Sequence, residues 1–529
     1  MSKNIVICSD GTGNSAIKGR GTNVFKLFEA VDLNGHRTNP DLTPQVGLYD
    51  DGVGTEDFKP LKIFAGVTGF GLSRNVRQLY KELVRIYDPG DRIFLFGFSR
   101  GAFTARTLSG FIAACGILDV SKLRTTRKLE KAVRKAYKSY RHRYRTELAK
   151  LFLGEPDNKK IELFKKTHCL EGDDPIEIEF LGVWDTVDAV GLPFHLSDFI
   201  NLVIHRFKFP DRTLNKSVKR ACHALAIDDE RLSFRPLLWE YSDDSDKKRI
   251  EQVWFAGAHS NVGGGYPKQG MSLVALDWMI RKAMESGLRV LESDHSLFHE
   301  HANVDDKLYN PRAGLGMFYR WKPRDIAAMC RRNKVPPAIH LSVLERIAHG
   351  SEDYAPGNLA SGATVVITPT GDSEKDEAAC ARAKEVENVL RKAHKNGTSL
   401  LAQVKPAIIT GQVSYYVYLL SCVAAVIAAS APEGSRSLIN PWLVLKNAGV
   451  LIGNVATLQI GALFTTLKQL ATSPWLLGLL ATGFLLSYLL SLVADRRMIE
   501  TFSQCWHELQ PELRAALRRA RQAALAARD

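Results

Sequence analysis

Ser99 stands in Gly97-Phe98-Ser99-Arg100-Gly101, a GxSxG pattern that follows the apolar run Arg92–Phe98 and opens the helical pattern Ala102–Cys115. Strand, tight turn and helix in that order hold a serine hydroxyl exposed on a strained elbow. Gly97 and Gly101 supply the room that a close strand–helix crossing needs. A helix that starts at Ser99 favours negative charge at its N-terminus, and the Arg100 N–H is placed to donate to an oxyanion. The chemistry of such a serine is acyl transfer. It requires a base, and an acid that orients the base.

Two later strand ends supply both, in the order Ser, Asp, His. Ile176–Trp184 delivers Asp185 within Gly182-Val183-Trp184-Asp185-Thr186-Val187, and Gln252–Gly257 delivers His259 within Ala258-His259-Ser260-Asn261-Val262-Gly263-Gly264-Gly265-Tyr266. Functional residues of open parallel sheets gather just beyond the carboxyl ends of strands. Asp188, in the same loop, is the rival of Asp185. The turn Asp10-Gly11-Thr12-Gly13-Asn14 follows the strand candidate Lys3–Cys8, and Gly11 and Thr12 are candidates for a second oxyanion N–H. Asp10, Asp50 and Asp51 read as carboxylates that organise loop backbone rather than as cation ligands. Neither glycine-rich loop carries the lysine of a phosphate-binding loop, which excludes nucleotide binding of that type. His195, His205 and His223 lack metal-ligand spacing and read as surface or core histidines. No cofactor and no metal is expected.

The elements that must position these residues follow from patterning. A chain of 529 residues exceeds one ordinary core, and 45% hydrophobic with 24% charged residues describes a folded chain. The strand candidates alternate with helical stretches such as Thr22–Val31, so the fold class is α/β, a mostly parallel sheet flanked by helices. Insertions are expected near 119–175 and 189–250. The first is basic, with twelve Lys/Arg against two acids from Ser121 to Lys150. It reads either as a solvated helical face or as a helix turned to an anionic membrane. The formal net charge of +14 also suits an anionic surface, and no motif accompanies it that would specify nucleic acid. The eight cysteines are scattered without a CxxC pair, which argues for a reducing compartment.

Beyond a helical linker at 366–405 the composition changes. Pro406–Pro432 and Gln469–Ala494 contain no charged residue, and each approaches the ~20 residues that cross a bilayer. An α-helical transmembrane region is expected over 406–494, with spans at about 408–430 and 474–494. The stretch 447–467 is uncharged but broken by glycines and polar residues; it reads as a third span, an interfacial helix or a packed hairpin element. The tail 495–529 is helical. The basic front region and Arg496-Arg497 place both ends on the cytoplasmic side, which favours two crossings.

Taken together, the motifs resemble those of the Tle1-like phospholipase domain of type VI secretion effectors, an α/β-hydrolase family. The matching pieces are Asp10-Gly11-Thr12, Thr22-Asn23-Val24, Tyr49-Asp50-Asp51-Gly52-Val53-Gly54-Thr55, the Ser99 elbow, the Asp185 loop and the His259 loop, with weaker matches at Ala226–Arg231 and Ile339–Leu344. The likeness covers roughly residues 1–365. It implies a catalytic set of Ser99, Asp185 and His259 and hydrolysis of phospholipid esters. Two positions depart from the family pattern: Gly13 replaces an aromatic, and Asn261 replaces an acid. The expectation is a membrane-anchored phospholipase A-type serine hydrolase whose partner is membrane phospholipid. It would be multi-pass in a bacterial inner membrane with its catalytic domain cytoplasmic, serving as a toxin or a defence effector. Homo-oligomerisation and a regulatory protein partner stay open. The alternatives are an anchored esterase for a soluble acyl substrate, and a membrane-perturbing protein whose hydrolase domain is a sensor or scaffold.

Overall fold

The structure is a computed structural model, and it describes residues 2–11, 21–52, 70–123, 125–142, 158–170, 176–187, 212–313, 321–393, 400–430, 440–456 and 460–526. Two compact units result: residues 1–399 together with 505–529, and residues 400–504.

The first unit is organised by eight strands: β1 (Asn4–Ser9), β2 (Gln45–Asp50), β3 (Arg92–Phe98), β4 (Ile178–Trp184), β5 (Val218–Ala226), β6 (Ile250–Phe255), β7 (Ala338–His340) and β8 (Thr364–Val366). They form one sheet in the order β2-β1-β3-β4-β5-β6-β7-β8, with every neighbouring pair parallel. The helices of this unit include α1 (Asn23–Ala30), α2 (Phe70–Ile86), α3 (Arg100–Cys115), α4 (Thr126–His142), α5 (Asn158–His168), α6 (Gly270–Glu285), α7 (Leu341–His349) and α8 (Ser373–Lys392). Side chains from α2 to α5 pack on one face of the sheet, and those from α1 and α6 on the other. A further cluster beside β6 to β8 joins α7 and α8 to Trp506, Leu513 and Ala516 of the C-terminal helix.

β3 shows why this sheet forms. Ile93 and Leu95 enter one layer, while Phe94, Phe96 and Phe98 enter the other, and all five are buried. A strand covered on both faces must be apolar throughout, and each such side chain contributes roughly 1.5–3 kcal/mol. Pairing of Ser9 with Gly97 and of Phe98 with Trp184 brings the ends of β1, β3 and β4 level. The chain leaves β1 toward β2 on one side and returns to β3 on the other. That reversal opens a crevice at the carboxyl ends of the strands.

The segment 189–250, expected as an insertion, holds β5, which lies between β4 and β6. Lys219, Arg220 and a run rich in alanine give it a weak strand signature. Burial between neighbouring strands overrides that propensity. Residues 188–211, including His195, His205 and Asp188, lie outside the described residues, as does Thr12.

The second unit contains α9 (Lys405–Ala429), α10 (Pro441–Ala456), α11 (Ile460–Thr472) and the first part of α12 (Pro474–Ala526). By length and composition, α9 and α12 can each cross a membrane. The described part of the stretch 447–467 falls on α10 and α11. Ala425, Ala428 and Ala429 pack with Leu476, whereas Leu445, Phe464, Leu485 and Tyr488 are exposed.

Gly101 tests the close crossing at the elbow. A Cβ there would collide with Ser9 O and lie 2.5 Å from Asp10 O, both backbone atoms that cannot rotate away. Gly101→Ala is expected to lower the melting temperature of the first unit by several degrees, because overpacking of this kind costs about 1–3 kcal/mol. An unchanged thermal melt would show that α3 and β1 are not held this closely.

Candidate active site

Three strand ends and the segments that follow them build the site. Ser99 is the residue between β3 and α3, with φ 59° and ψ −120°. A non-glycine residue in that region is strained and persists only where its surroundings impose it. Ser99 occupies the cap position of α3 without capping it. Instead, its Oγ lies 2.8 Å from His259 Nε2. Arg100 is the first residue of α3, so its N–H belongs to the turn whose donors point out of a helix start.

Asp185 follows β4 at φ 35°, with its N–H bonded to Ala224 O of β5 at 2.7 Å. Its carboxylate leans across the end of β5, where Oδ1 accepts the Ala226 N–H at 3.1 Å. Oδ2 lies 2.6 Å from His259 Nδ1. The tautomer consistent with both contacts carries its proton on Nδ1, so Nε2 accepts from the Ser99 hydroxyl. All three residues are buried, with Ser99 8% and His259 4% exposed.

His259 opens the short helix His259–Gly263 after β6, and its backbone N–H donates to Asp229 Oδ2 at 3.2 Å. Phe98 and Phe234 flank the imidazole at 4.6 and 5.0 Å between ring centroids. Asn261 is built into the loop. Its Oδ1 accepts the Ala258 N–H, and its Nδ2 donates to Lys307 O at 2.9 Å. Asn23 of α1 donates to Val262 O and Ser272 O and so ties the front of the chain to the His259 loop. Gly264, at φ +85°, permits the close approach of Thr22 and Asn23.

The front-loop acids serve the backbone and neighbouring hydroxyls. Asp10 accepts from Thr22 Oγ1 at 2.6 Å and from Tyr49 OH at 2.7 Å, and Asp50 accepts from Ser9 Oγ and Asn75. Of the two candidates for a second oxyanion donor, Gly11 donates its N–H to Asp10 Oδ1 at 2.6 Å, and Thr12 lies outside the described residues. Among the described residues no group of three or more His, Cys, Asp or Glu is arranged to hold a metal ion.

Three residues for which the sequence signalled no catalytic role complete the surroundings. Arg324, from the loop after Trp321, meets both oxygens of Asp185 at 2.8 and 3.0 Å. His223 of β5 accepts the Thr186 N–H at Nε2, 3.1 Å away. Burial, followed by the charge of Arg106, pushes His223 down to about 3, so it is neutral at physiological pH. Asp229 forms an ion pair with Arg231 at 2.6 Å. Burial opposes ionisation of Asp185, but the charge of Arg324 and the bond from His259 outweigh it and hold the carboxyl well below the usual range. Only Asp228 and Asp229 lay in a segment already noted for its weak resemblance. Arg324 has no local signal at all.

An all-parallel sheet flanked by helices, with a serine elbow hydrogen-bonded to a histidine and that histidine to an aspartate, defines an α/β-hydrolase-like protein. The chain belongs to the family of type VI secretion phospholipase effectors described as Tle1-like, catalytic domain, whose model matches residues 3–282. Over 249 residues it is 29% identical to an uncharacterized protein of Saccharomyces cerevisiae, covering 44% of this chain and 32% of that protein. The match thus spans about a third of the length of that curated relative. Among solved structures, the chain is similar to an uncharacterized protein from Pseudomonas aeruginosa, with 19% identity and a TM-score of 0.33 over 74% of this chain and 60% of that one. It is also similar to the Tle1 effector bound to the VgrG spike, with 16% identity and a TM-score of 0.31 over 60% of this chain and 78% of that one.

Asp228 offers a test of the scaffold under the His259 loop. Burial, against donors from Gly257 N–H and Tyr354 OH, pushes its carboxyl up to about 6 from 3.8. A raised native value means that the native state binds the extra proton. The associated stability is present below the ordinary carboxylate range and is lost as pH rises through about 6. Asn at this position accepts from the same donors and does not ionise. The melting temperature of Asp228→Asn relative to the parent is therefore expected to rise by several degrees between about pH 5 and pH 8. A difference that stays flat with pH would refute the reading.

Proposed function

We propose that the chain is a membrane-anchored serine hydrolase that cleaves acyl ester bonds of membrane phospholipids through Ser99, His259 and Asp185. The observation that carries this is the hydrogen-bonded series from Ser99 Oγ to His259 at 2.8 Å and from His259 to Asp185 at 2.6 Å, inside the stretch that matches the family model. Ser99 Oγ attacks the ester carbonyl carbon while its proton passes to His259 Nε2. The Arg100 N–H, at the start of α3, donates to the oxyanion. Collapse expels the lysophospholipid alkoxide, which takes the proton from His259. Water then attacks the acyl-enzyme and gives a proton to His259; collapse breaks the bond to Ser99, whose Oγ takes that proton back, and the fatty acid leaves. Asp185 fixes the tautomer and balances the imidazolium.

The second unit supports an anchored enzyme. Trp442, Leu445, Phe464, Leu485 and Leu489 are large apolar side chains left exposed on its helices, and a bilayer would cover them. Tethering raises the concentration of lipid ester at the site. In the first unit, α4 buries Leu129, Val133, Ala136 and Tyr140 while it exposes Arg127, Lys128, Lys131, Arg134, Lys135 and Lys138. That basic face suits anionic headgroups.

Incubation of the whole chain with phospholipid vesicles is expected to release fatty acid and lysophospholipid, read by mass spectrometry, and Ser99→Ala to lower the rate about 10³-fold or more. Equal product from both proteins at matched folding would overturn the proposal. Reversal of charge at Lys128, Lys131 and Lys135 is expected to abolish any excess of the rate on anionic over zwitterionic vesicles, and rising salt to have the same effect on the parent. Rates that ignore both salt and headgroup charge would remove the basic face from the account.

A further inference from the structure

A carboxylate that is fully buried beside a neutral imidazole is an uncompensated charge, and such a charge costs several kcal/mol. Asp185 does not stand in that position, because a second partner reaches it from a distant part of the chain. Arg324 precedes Asp325, which caps the helix Ile326–Arg332. Its side chain is 1% exposed and that of Asp185 0%. Nη1 donates to Asp185 Oδ1 at 2.8 Å and Nη2 to Oδ2 at 3.0 Å. The same two nitrogens donate to the carbonyls of Ala226, at the end of β5, and Phe234, beside His259. The four terminal N–H groups of the guanidinium are thus committed, and its plane is set by two backbone segments as well as by the carboxylate.

We propose that Arg324 is a positioning residue for the hydrolysis: it grips both oxygens of Asp185 and so fixes, and offsets the charge of, the carboxylate that orients His259. This rests on the Ser99–His259–Asp185 reading. Each Asp185 oxygen accepts two bonds: Oδ1 from Arg324 and the Ala226 N–H, Oδ2 from Arg324 and His259. Those four donors leave the carboxylate one orientation. Only a planar fork meets both oxygens at once, so lysine supplies the charge without the geometry. Arg324 also lies beyond residues 3–282, so the stretch that matches the family model does not contain this part of the site.

Charge gives Arg324 a second effect. The groups that face the pair are Asp229 with its partner Arg231, half-buried Asp228 under Gly257, neutral His223 on β5, and Arg106 from α3. Of the cations among them, Arg324 alone touches Asp185 among the described residues. With Arg324 present, Asp185 draws on the proton of His259 as half of an ion pair. Without it, Asp185 faces His259 with a full, unshared negative charge.

The test is kcat and KM for a short-chain chromogenic ester across pH, with the whole chain in mixed micelles. Arg324→Gln is expected to lose about 10- to 100-fold in kcat with KM little changed, and to move the acid limb of kcat/KM upward by about one pH unit. Arg324→Lys is expected to keep the limb of the parent and lose part of kcat. In an Asp185→Asn background, which pairs with Arg324→Gln without leaving a lone buried charge, the Arg324 change is expected to cost nothing further. A folded Arg324→Gln with the kcat and limb of the parent would overturn the proposal, as would an equal loss in both backgrounds. Should Arg324→Gln not fold, Arg324→Lys decides: full kcat overturns the role, and reduced kcat at unchanged KM supports it. Activity that persists in Ser99→Ala is a different result, because it overturns the underlying reading rather than the part played by Arg324.

Discussion

The buried carboxylate of Asp185 is the constraint on which the rest of the first unit turns. A charge at zero exposure is tolerable only when every lone pair finds a donor and a counter-charge stands close. Asp185 obtains the Ala226 N–H from β5, Nδ1 from His259, and two contacts from Arg324. Those partners come from three separate stretches of chain. The requirement to satisfy one carboxylate therefore fixes the end of β4 against β5, the loop after β6, and the loop before Ile326 in a single arrangement. The positive φ of Asp185 is tolerated because four bonds over-determine its position.

Sheet order decides how far that arrangement reaches. β5 separates β4 from β6, and the Asp185 carboxylate reaches His259 across the end of β5, where it accepts the Ala226 N–H. His223, next to Ala224 on β5, holds the Thr186 N–H as a neutral acceptor. On the other side, Asp10 gathers Thr22 and Tyr49, and Asn23 grips the backbone of the His259 loop. Motifs that are far apart in the chain are thus parts of one hydrogen-bonded rim around the serine.

The second unit follows different physics. Its helices bury small residues against one another and leave large apolar side chains outside, the reverse of the first unit. The C-terminal part of α12 returns to the rule of the first unit: Trp506 is buried, and its Nε1 donates to Pro356 O at 2.8 Å.

Ser99, Asp185 and His259 were legible in the sequence because each sits at the end of an apolar strand, where periodicity and turn residues act within a few positions. The α/β class was legible for the same reason: strands buried on both faces have to be apolar from end to end. The apolar lengths of α9 and α12 were equally plain. β5 was not legible, because its alanines and cations carry a weak strand signature and its place comes from burial between β4 and β6. The commitment of Gly11 to Asp10 was not legible either, since loop hydrogen bonds depend on exact approach rather than residue type. Arg324 lies 139 positions from Asp185 in a segment with no pattern of its own. By itself the sequence determined which residues could do the chemistry, because local periodicity exposes strand ends. Only the tertiary structure decided what holds the carboxylate among them, because neutralising a buried charge depends on distance in space and not along the chain.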